Sequence, residues 1–279
     1  MRKNIILFAL CAAMLWSLQL AAAVDASEFN TPASITNKQL APGVAAYQFT
    51  YNNIYGGPQI ISVVAVNLND PSVELNIAVC EDKNRQTISQ QAKANNALAA
   101  INFGYFNMQD PSSPAGAIKY DGVVESTFGW NIGGFFHYYP NNQVAITTSA
   151  PDFGQALAVR AAFPMLVVDG QVFDMGSSDH IPGRNPRTAI GITPANIFYM
   201  VVVDGRIAGR STGVTCYELA DFMQRLGCSH ALNMDGGGSS AMWLKDLGII
   251  SYPSDNKKFD HKGERRVYDI LFVRERAAK

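Results

Sequence analysis

The sequence predicts an α+β fold, in which a β-rich single domain carries one or two helices packed on a mixed or antiparallel sheet. Short apolar runs rich in β-branched residues dominate the 279-residue chain, as they do in proteins built largely from strands. The clearest helical repeat of apolar residues lies late in the chain, over Thr215 to Gly227. No internal repeat, low-complexity tract or linker follows about residue 40, which favours one domain over residues 27–279.

Eight apolar segments predict strands. Their β-branched and aromatic residues are bounded by turn formers, such as the Asn-Asp-Pro-Ser at residues 69–72. The last segment ends on Asp235, which places this carboxylate at a strand end, where loops carry most functional sites. In chain order the segments are 59–68, 73–79, 100–102, 134–139, 143–148, 188–193, 197–203 and 230–235.

Two segments predict helices, and the second has defined ends. The first is a short candidate at residues 87–97. The second places apolar residues at positions 216, 219, 220, 223 and 226, which share one helix face, and Gly227 is a natural C-terminal stop. Thr215 and Glu218 have the spacing of a capping box, in which each side chain satisfies an N–H group at the helix start.

The first 26 residues predict a secretory signal peptide. Arg2 and Lys3 precede an apolar stretch from Ile5 to Leu20, and small residues suited to cleavage follow. We therefore expect an exported protein, periplasmic or extracellular, without stable membrane insertion, because no other run approaches the ~20 apolar residues of a membrane helix. The net charge is −1 and no basic block exists, so no nucleic-acid partner is expected.

Cysteine usage excludes a disulfide scaffold. The chain after the signal peptide keeps Cys80, Cys216 and Cys228, and an odd number leaves at least one thiol unpaired. Cys216 and Cys228 flank the second predicted helix, so they should lie ~15 Å or more apart, too far for a bridge. A pair of either one with Cys80 is left open.

The dipeptide Asp-Gly occurs four times, and the fourth copy differs from the others. The first three, at Asp121, Asp169 and Asp204, are flanked by strand-like residues and predict tight hairpins. The fourth opens the run DGGGSS at Asp235, where each extra glycine costs ~0.5–1 kcal/mol relative to alanine. Such a run is either a long flexible turn or a loop whose N–H groups line an anion site. Asn233 shares the strand face of Asp235, so an amide and a carboxylate lie beside the glycines.

The segment LGCSHALNMDGGGSSAM, residues 226–242, resembles the signature of the phosphodiester glycosidase family. Further matching segments follow the family order, and the resemblance covers about residues 59–273. One departure is Arg266, where bacterial relatives more often have proline after the arginine that matches Arg265; it hardly affects the site. The further segments are AINFGYFN (100–107), RNPRTAIGI (184–192), GVTCYELADFMQRLG (213–227), SYPSD (251–255) and GERRVYDILFV (263–273).

The resemblance implies an exported hydrolase that cleaves the bond between a sugar C1 and a phosphodiester, with an N-acetylglucosamine-1-phosphodiester-like substrate. Phosphate is a good leaving group, so a carboxylate near the developing charge at C1 matters more than a general acid. The implied catalytic residues are Asp235, Glu218 and Arg187. The implied substrate-binding residues are Asn102, Asn233, Gly236, Gly237, Gly238, Ser239, Ser240 and Arg265.

Each main candidate also has a structural interpretation. Asp235 could cap a turn through an Asx hydrogen bond, Glu218 could serve only the capping box, and Arg187 could form a surface ion pair of little energetic worth. The asparagines could satisfy backbone groups at strand ends instead of sugar hydroxyls or phosphate oxygens. Ser239 and Ser240 could donate to phosphate, whereas no histidine is placed to activate either as a nucleophile.

Two other functions are left open. One is an enzyme acting on glycosyl-phosphate linkages of envelope polysaccharide, and the other is a non-catalytic carbohydrate- or sugar-phosphate-binding protein of the same fold. In each case the expected partner is a small molecule or glycan carrying a sugar-1-phosphodiester. No cofactor or metal is expected, since the four histidines are scattered, although a calcium ion is left open. The sugar, the anomer, the stereochemical course and the oligomeric state do not follow from the sequence.

Overall fold

The computed structural model of the chain describes residues 32–80, 84–110, 113–125, 133–149 and 152–276. The predicted signal peptide lies outside these residues. No helix within them is long and apolar enough to cross a membrane.

The described residues form eighteen strands and two α-helices. The helices are α1 (Ile88–Ala94) and α2 (Cys216–Arg225). The strands are β1 (Ser34–Ala41), β2 (Val44–Ile54), β3 (Gly57–Asn67), β4 (Val73–Val79), β5 (Ala99–Asn102), β6 (Ile118–Tyr120), β7 (Val123–Glu125), β8 (Gly134–Tyr139), β9 (Gln143–Thr147), β10 (Ala158–Ala162), β11 (Met165–Val168), β12 (Gln171–Val172), β13 (Arg187–Ile192), β14 (Ile197–Val203), β15 (His230–Asn233), β16 (Met242–Leu244), β17 (Gly248–Ile249) and β18 (Asp269–Glu275).

The strands of the described part of the chain assemble into three sheets. The largest has the order β1-β2-β3-β14-β13-β15-β11-β12, and two five-stranded sheets have the orders β7-β6-β10-β8-β9 and β17-β16-β5-β18-β4. Every strand pair given a register is antiparallel. The predicted β-rich domain with two helices is therefore confirmed, and its sheets are antiparallel rather than mixed.

The central strands β3, β14 and β13 of the eight-stranded sheet are buried on both faces, and this explains their continuous apolar runs. On one face Val64 and Val202 join the core that includes residues of both smaller sheets. On the other face Val63 and Val201 pack in the cluster that contains the apolar side of α2. Because successive strand residues point to opposite faces, a strand covered on both sides needs apolar residues at nearly every position.

Several predicted elements match the structure, and the differences have local causes. The predicted segments 73–79, 134–139 and 197–203 coincide with β4, β8 and β14. Residues 230–235 form a strand only to Asn233, because the N–H of Asp235 donates to the carbonyl of Phe103 outside the ladder. Strand β2 was not predicted, because its buried aromatic residues alternate with polar ones and give no continuous apolar run.

Two of the three predicted Asp-Gly hairpins are confirmed. Asp121 and Asp169, each with its following glycine, connect β6 to β7 and β11 to β12 with positive φ at both turn positions. The prediction for Asp204 is wrong, because this residue is 1% exposed and its Oδ1 accepts from the N–H of Tyr252 at 2.8 Å. A buried carboxylate that accepts a hydrogen bond from the backbone cannot lie at an exposed hairpin tip.

Helix α2 forms as its sequence predicts. Thr215 is the N-cap and completes a capping box with Glu218, while Gly227 has a φ of +79° beyond the C-terminal end. Its buried side packs on the eight-stranded sheet. Cys80, Cys216 and Cys228 are all buried, and no disulfide joins any two of these described cysteines.

Candidate active site

The fourth Asp-Gly copy begins a loop from Asp235 to Ser240, here called the glycine loop. Backbone hydrogen bonds hold it on both sides: the N–H of Asp235 donates to the carbonyl of Phe103 at 3.0 Å, and that of Gly237 donates to Pro186 at 2.8 Å. Its middle three residues form one turn of 3-10 helix. The run of glycines is therefore a turn held by backbone hydrogen bonds and not a long flexible turn.

Two charged side chains explain why the loop needs glycine at position 238. A Cβ on Gly238 would overlap the carboxylate of Asp255 and the guanidinium of Arg265. These two side chains form a bidentate ion pair, with Nε–Oδ2 at 2.7 Å and Nη2–Oδ1 at 2.8 Å. The remaining nitrogen, Nη1, lies 3.5 Å from Oγ of Ser239. Arg265, predicted as a substrate-binding residue, thus lies against the glycine loop.

Asp235 is half-buried and has an unusual proton affinity. Its Oδ1 accepts from the N–H of Gly236 at 2.9 Å, and the hydroxyl of Ser239 also hydrogen-bonds to this carboxylate. Burial raises the pKa of Asp235 to about 6, although the Ser239 hydrogen bond and the nearby Arg265 act in the opposite direction. A carboxyl group of this kind changes charge close to neutral pH, as catalytic carboxylates often do.

A second guanidinium lies against the same loop. Nη2 and Nη1 of Arg206 lie 3.3 and 3.4 Å from where a Cβ of Gly237 would be. Arg206 is exposed and adopts a φ of +62°, which costs energy for a residue with a side chain. Oδ1 of Asn185 accepts from its Nε at 3.2 Å and its Nη2 at 2.7 Å. Arg206 and Arg265 therefore flank the glycine loop, and of the two only Arg265 was predicted from the sequence.

Two polar residues beneath the glycine loop, Asn102 and Thr188, are connected to each other and to Ser240 at the end of the loop. Nδ2 of Asn102 donates to the carbonyl of Asp235 at 2.6 Å, while its Oδ1 accepts from Oγ1 of Thr188 at 2.7 Å. Oγ1 of Thr188 also lies 3.2 Å from Oγ of Ser240. Asn102, Thr188 and Ser240 are each at most 1% exposed. Asn102 and Thr188 therefore support the loop from below, and none of the three side chains opens to the solvent.

Arg187 is also directed into the protein. It is 1% exposed, and its guanidinium donates to the carbonyls of Val214, His180 and Gly183 at 3.2, 2.9 and 2.7 Å. A further bond of 2.9 Å joins its Nη1 to Nε2 of His180. The alternative of a surface ion pair is wrong for this side chain, because it is buried and its partners are carbonyls and an imidazole.

A buried polar cluster joins Asn233 to this arginine. Nδ2 of Asn233 donates to the hydroxyl of Tyr105 at 2.8 Å, and that hydroxyl lies 3.3 Å from Nε2 of His180. Because Nε2 of His180 accepts from Arg187, the imidazole is neutral with its proton on Nδ1, and burial followed by the Arg187 charge lowers its pKa to about 4. The charge of Asp235 contributes to raising the pKa of the Tyr105 hydroxyl, which places the carboxylate near this cluster.

Glu218 is engaged through both of its carboxylate oxygens. Oε2 accepts from the N–H of Thr215 at 2.9 Å in the capping box, and Oε1 accepts from Arg184. Arg184 in turn donates to the carbonyls of Tyr55 and Gly213. The capping interpretation of Glu218 is confirmed, whereas its catalytic role stays a prediction.

Comparison with known proteins identifies the relatives of this chain. A family model described as phosphodiester glycosidase matches residues 95–274. The chain belongs to the phosphodiester glycosidase family. The match includes the glycine loop, both flanking arginines and helix α2, and it confirms the resemblance inferred from the motif.

The individual relatives share low sequence identity with this chain. The bovine N-acetylglucosamine-1-phosphodiester alpha-N-acetylglucosaminidase is 25% identical over 70% of this chain, and the human protein of the same name is 25% identical over 63%. The alignments cover 40% and 37% of those proteins, so this chain spans less than half of their length. The structure of the zebrafish catalytic domain of this name, auto-inhibited by a pro-peptide, has a TM-score of 0.68 at 19% identity and covers 88% of this chain and 89% of that one. It shows that the fold is shared.

The candidate site of this family member contains residues that could not be singled out from the sequence. Arg206 was assigned to a hairpin flank, and His180 was one of four scattered histidines. Asn185 and Asp255 lie in segments that resemble the family, but neither was predicted as a site residue. They meet the glycine loop or its supports only through the fold. Among the described residues, no group of three or more His, Cys, Asp and Glu side chains lies close enough together to hold a metal ion.

Proposed function

We propose that this protein hydrolyses the bond between C1 of a sugar and a phosphodiester, with an N-acetylglucosamine-1-phosphodiester as the model substrate. The observation that carries the proposal is the placement of Asp235, with its raised pKa of about 6, at the start of a glycine loop flanked by Arg206 and Arg265. Such a site offers a carboxyl group to the sugar and cationic donors to the phosphate. The family supports a glycosidase-type hydrolase, and the substrate is our proposal.

The two guanidiniums bind the phosphodiester in this proposal. Arg206 is exposed and is oriented by Asn185, so little side-chain entropy is lost when it binds an anion. Nη1 of Arg265 lies beside the Ser239 hydroxyl as a further donor, while the proton of that hydroxyl is directed to Asp235. Charge-assisted hydrogen bonds of this kind are about twice as strong as neutral ones. The phosphate group leaves as a stable anion, and the two guanidiniums stabilise the negative charge that develops on it.

Asp235 acts on the sugar in this proposal. As a carboxylate it stabilises the positive charge that develops at C1 or activates the attacking water. Glu218 would be the second carboxylate of the pair, and its hydrogen bonds to Thr215 and Arg184 hold it in one orientation. Arg187, Asn102 and Asn233 are buried, so we propose that they position the site instead of binding substrate directly.

The decisive experiment is an assay of sugar release. Protein beginning at Ser27 is incubated with an N-acetylglucosamine-1-phosphodiester, with and without chelator, and the free sugar is measured. We expect release by the wild type, with Asp235→Asn as the matched inactive control. A folded wild-type protein that binds the diester without releasing sugar would contradict the hydrolase and leave a binding protein of the same fold.

Arg206 provides a test of the phosphate contact. We expect Arg206→Ala to raise KM for the diester about ten- to a hundredfold, because a hydrogen bond to a charged group is worth ~1.5–3 kcal/mol. Stability should change little, since Arg206 is exposed and alanine, which keeps the Cβ, adopts the same positive φ at a similar cost. Arg225→Ala, at the far end of α2, is the control that removes an arginine without touching the glycine loop. An unchanged KM in Arg206→Ala would exclude this arginine from phosphate binding.

Export of the protein is also a proposal. The predicted signal peptide at residues 1–26 supports it, and so does the similarity to a Burkholderia pseudomallei protein described as exported, with a TM-score of 0.68 at 16% identity over 88% of this chain and 98% of that one. The expected compartment is periplasmic or extracellular. Secretion of a reporter fused to residues 1–30, and its retention when Arg2 and Lys3 are replaced by Glu, is the measurement that decides.

A further inference from the structure

Beside the glycine loop the chain makes a short excursion over residues 256–263 that the proposed reaction does not use. Gly263 closes it, because a Cβ at this position would clash with the carbonyl of Pro253 and the side chain of Asn256. Within it, Asn256 donates to Oδ1 of Asp260 at 2.7 Å, and the N–H of Lys262 donates to the same oxygen at 2.9 Å. The excursion is therefore an ordered structure with defined internal bonds.

An aromatic column fixes the excursion next to the site. The rings of Tyr252 and Phe259 are stacked with centroids 4.0 Å apart, and His261 covers the other side of Tyr252 at 4.4 Å. The guanidinium carbon of Arg210 lies 5.1 Å from the centroid of Phe259. Because Tyr252 also donates its N–H to Asp204, the column joins the excursion to the segment that carries Arg206. Phe259 remains 41% exposed, so part of its ring is open to a ligand.

The excursion is basic, and its cations lack ion-pair partners among the described residues. Lys257, Lys258 and Lys262 are exposed, and none lies within salt-bridge distance of a described carboxylate. The acidic residues of the same region are already engaged. Asp255 pairs with Arg265, and Glu264 accepts from the N–H and hydroxyl of Ser89 at 3.1 and 2.6 Å. Asp260 faces Lys258 and Lys262 and offsets part of their charge.

We infer that residues 256–263 form a second binding subsite, which takes a further phosphate and sugar of a polyanionic glycan built from sugar-phosphate repeats. The inference rests on the proposed function for the site between Arg206 and Arg265. A single diester occupies only that site, whereas a chain of repeats also reaches the lysines and the exposed edge of Phe259. Linking the two contacts in one ligand raises affinity because the second contact becomes intramolecular.

Binding measured without turnover tests this inference. The probes are one sugar-1-phosphodiester, an oligomer of the same sugar joined through 1-phosphodiester links, and a polyphosphate of equal charge. We expect the oligomer to bind Asp235→Asn protein more than about tenfold tighter than the single unit does, with an affinity that falls as salt is raised. Adding the substitutions Lys257→Ser, Lys258→Ser and Lys262→Ser should weaken the oligomer about five- to tenfold and leave the single unit unchanged.

The controls separate charge at this position from charge in general. Lys38→Ser, Lys93→Ser and Lys245→Ser remove the same net charge elsewhere and should leave oligomer binding intact. Equal affinity for the oligomer and the single unit, or no effect of the excursion variant, would overturn the inference. Equal binding of polyphosphate would do so as well, because it would exclude a sugar contact at Phe259. Since these measurements involve no turnover, their failure is distinct from an absence of sugar release.

Discussion

Asp235→Asn is expected to lower kcat for diester hydrolysis about a thousandfold, a loss typical of a positioned acid–base or charge-stabilising carboxylate. The amide keeps an oxygen that accepts from Gly236, so the glycine loop retains its shape. In the proposed mechanism the variant loses the negative charge near C1, which matters only as positive charge develops there. KM should therefore change little, and single-turnover kinetics with the two proteins measure the difference.

The control for this substitution is a second buried carboxylate. Asp204→Asn changes a group whose pKa burial raises to about 7, and its Oδ1 can still accept from Tyr252. Asp204 is connected to the site only through the segments that carry Arg206 and Tyr252. The kcat of the variant should therefore stay within about threefold of the wild type. If Asp204→Asn and Asp235→Asn were equally impaired, a general requirement for buried charge would replace the specific role of Asp235.

The pH profile supplies an independent readout of the same group. The pKa of Asp235 is raised to about 6, so the group is protonated below that pH and charged above it. If the carboxylate is the active form, kcat/KM rises as the pH rises through about 6 and then levels off. In Asp204→Asn this limb should persist. A limb that falls above pH 6 would instead assign Asp235 as a proton donor.

Arg160→Met is expected to lower the free energy of unfolding by about 3–5 kcal/mol, the cost of leaving a buried charge without its partner. Nε of Arg160 donates to Oδ2 of Asp269 at 2.6 Å, and both side chains are fully buried. The same guanidinium donates to the carbonyls of Ala115 and Tyr105 at 2.9 and 2.5 Å. Urea unfolding measures the loss, and a melting temperature lower by about 10 °C should accompany it.

The double variant Arg160→Met with Asp269→Asn separates charge from packing. The N–H of Gly104 donates to Oδ1 of Asp269 at 2.9 Å, and Asp269→Asn keeps an oxygen for this bond while it removes the charge. The double variant should therefore be more stable than Arg160→Met alone. If both unfold at the same urea concentration, the lost hydrogen bonds to Ala115 and Tyr105 explain the effect, and the buried charge does not. Activity should fall too, since Phe103 beside this pair accepts from Asp235.

The location of the site could be predicted from a short stretch of sequence, but its composition could not. Asp235 and its three glycines stand out because each glycine is costly and the run matches a family motif. Arg206 lies about thirty residues earlier, in a segment that is indistinguishable from a hairpin flank. The position of Arg206 depends on the pairing of β14 with β13, and this pairing cannot be predicted from the local sequence. Asp255 likewise reaches Gly238 only through the fold.

Features that arise from local interactions could be predicted from the sequence. Helix α2, with its cap at Thr215 and its stop at Gly227, follows from hydrogen bonds and apolar spacing within thirteen residues. Strands β3 and β14 could also be predicted, because their runs of β-branched residues are typical of buried strands. Tertiary structure alone decided which polar groups turn inward. Arg187 is as polar as Arg206, yet only the packing of surrounding carbonyls and His180 encloses one while the other stays exposed against the glycine loop. Burial depends on residues distant in sequence, and it is burial that raises the pKa of Asp235 and makes this carboxylate a candidate for catalysis.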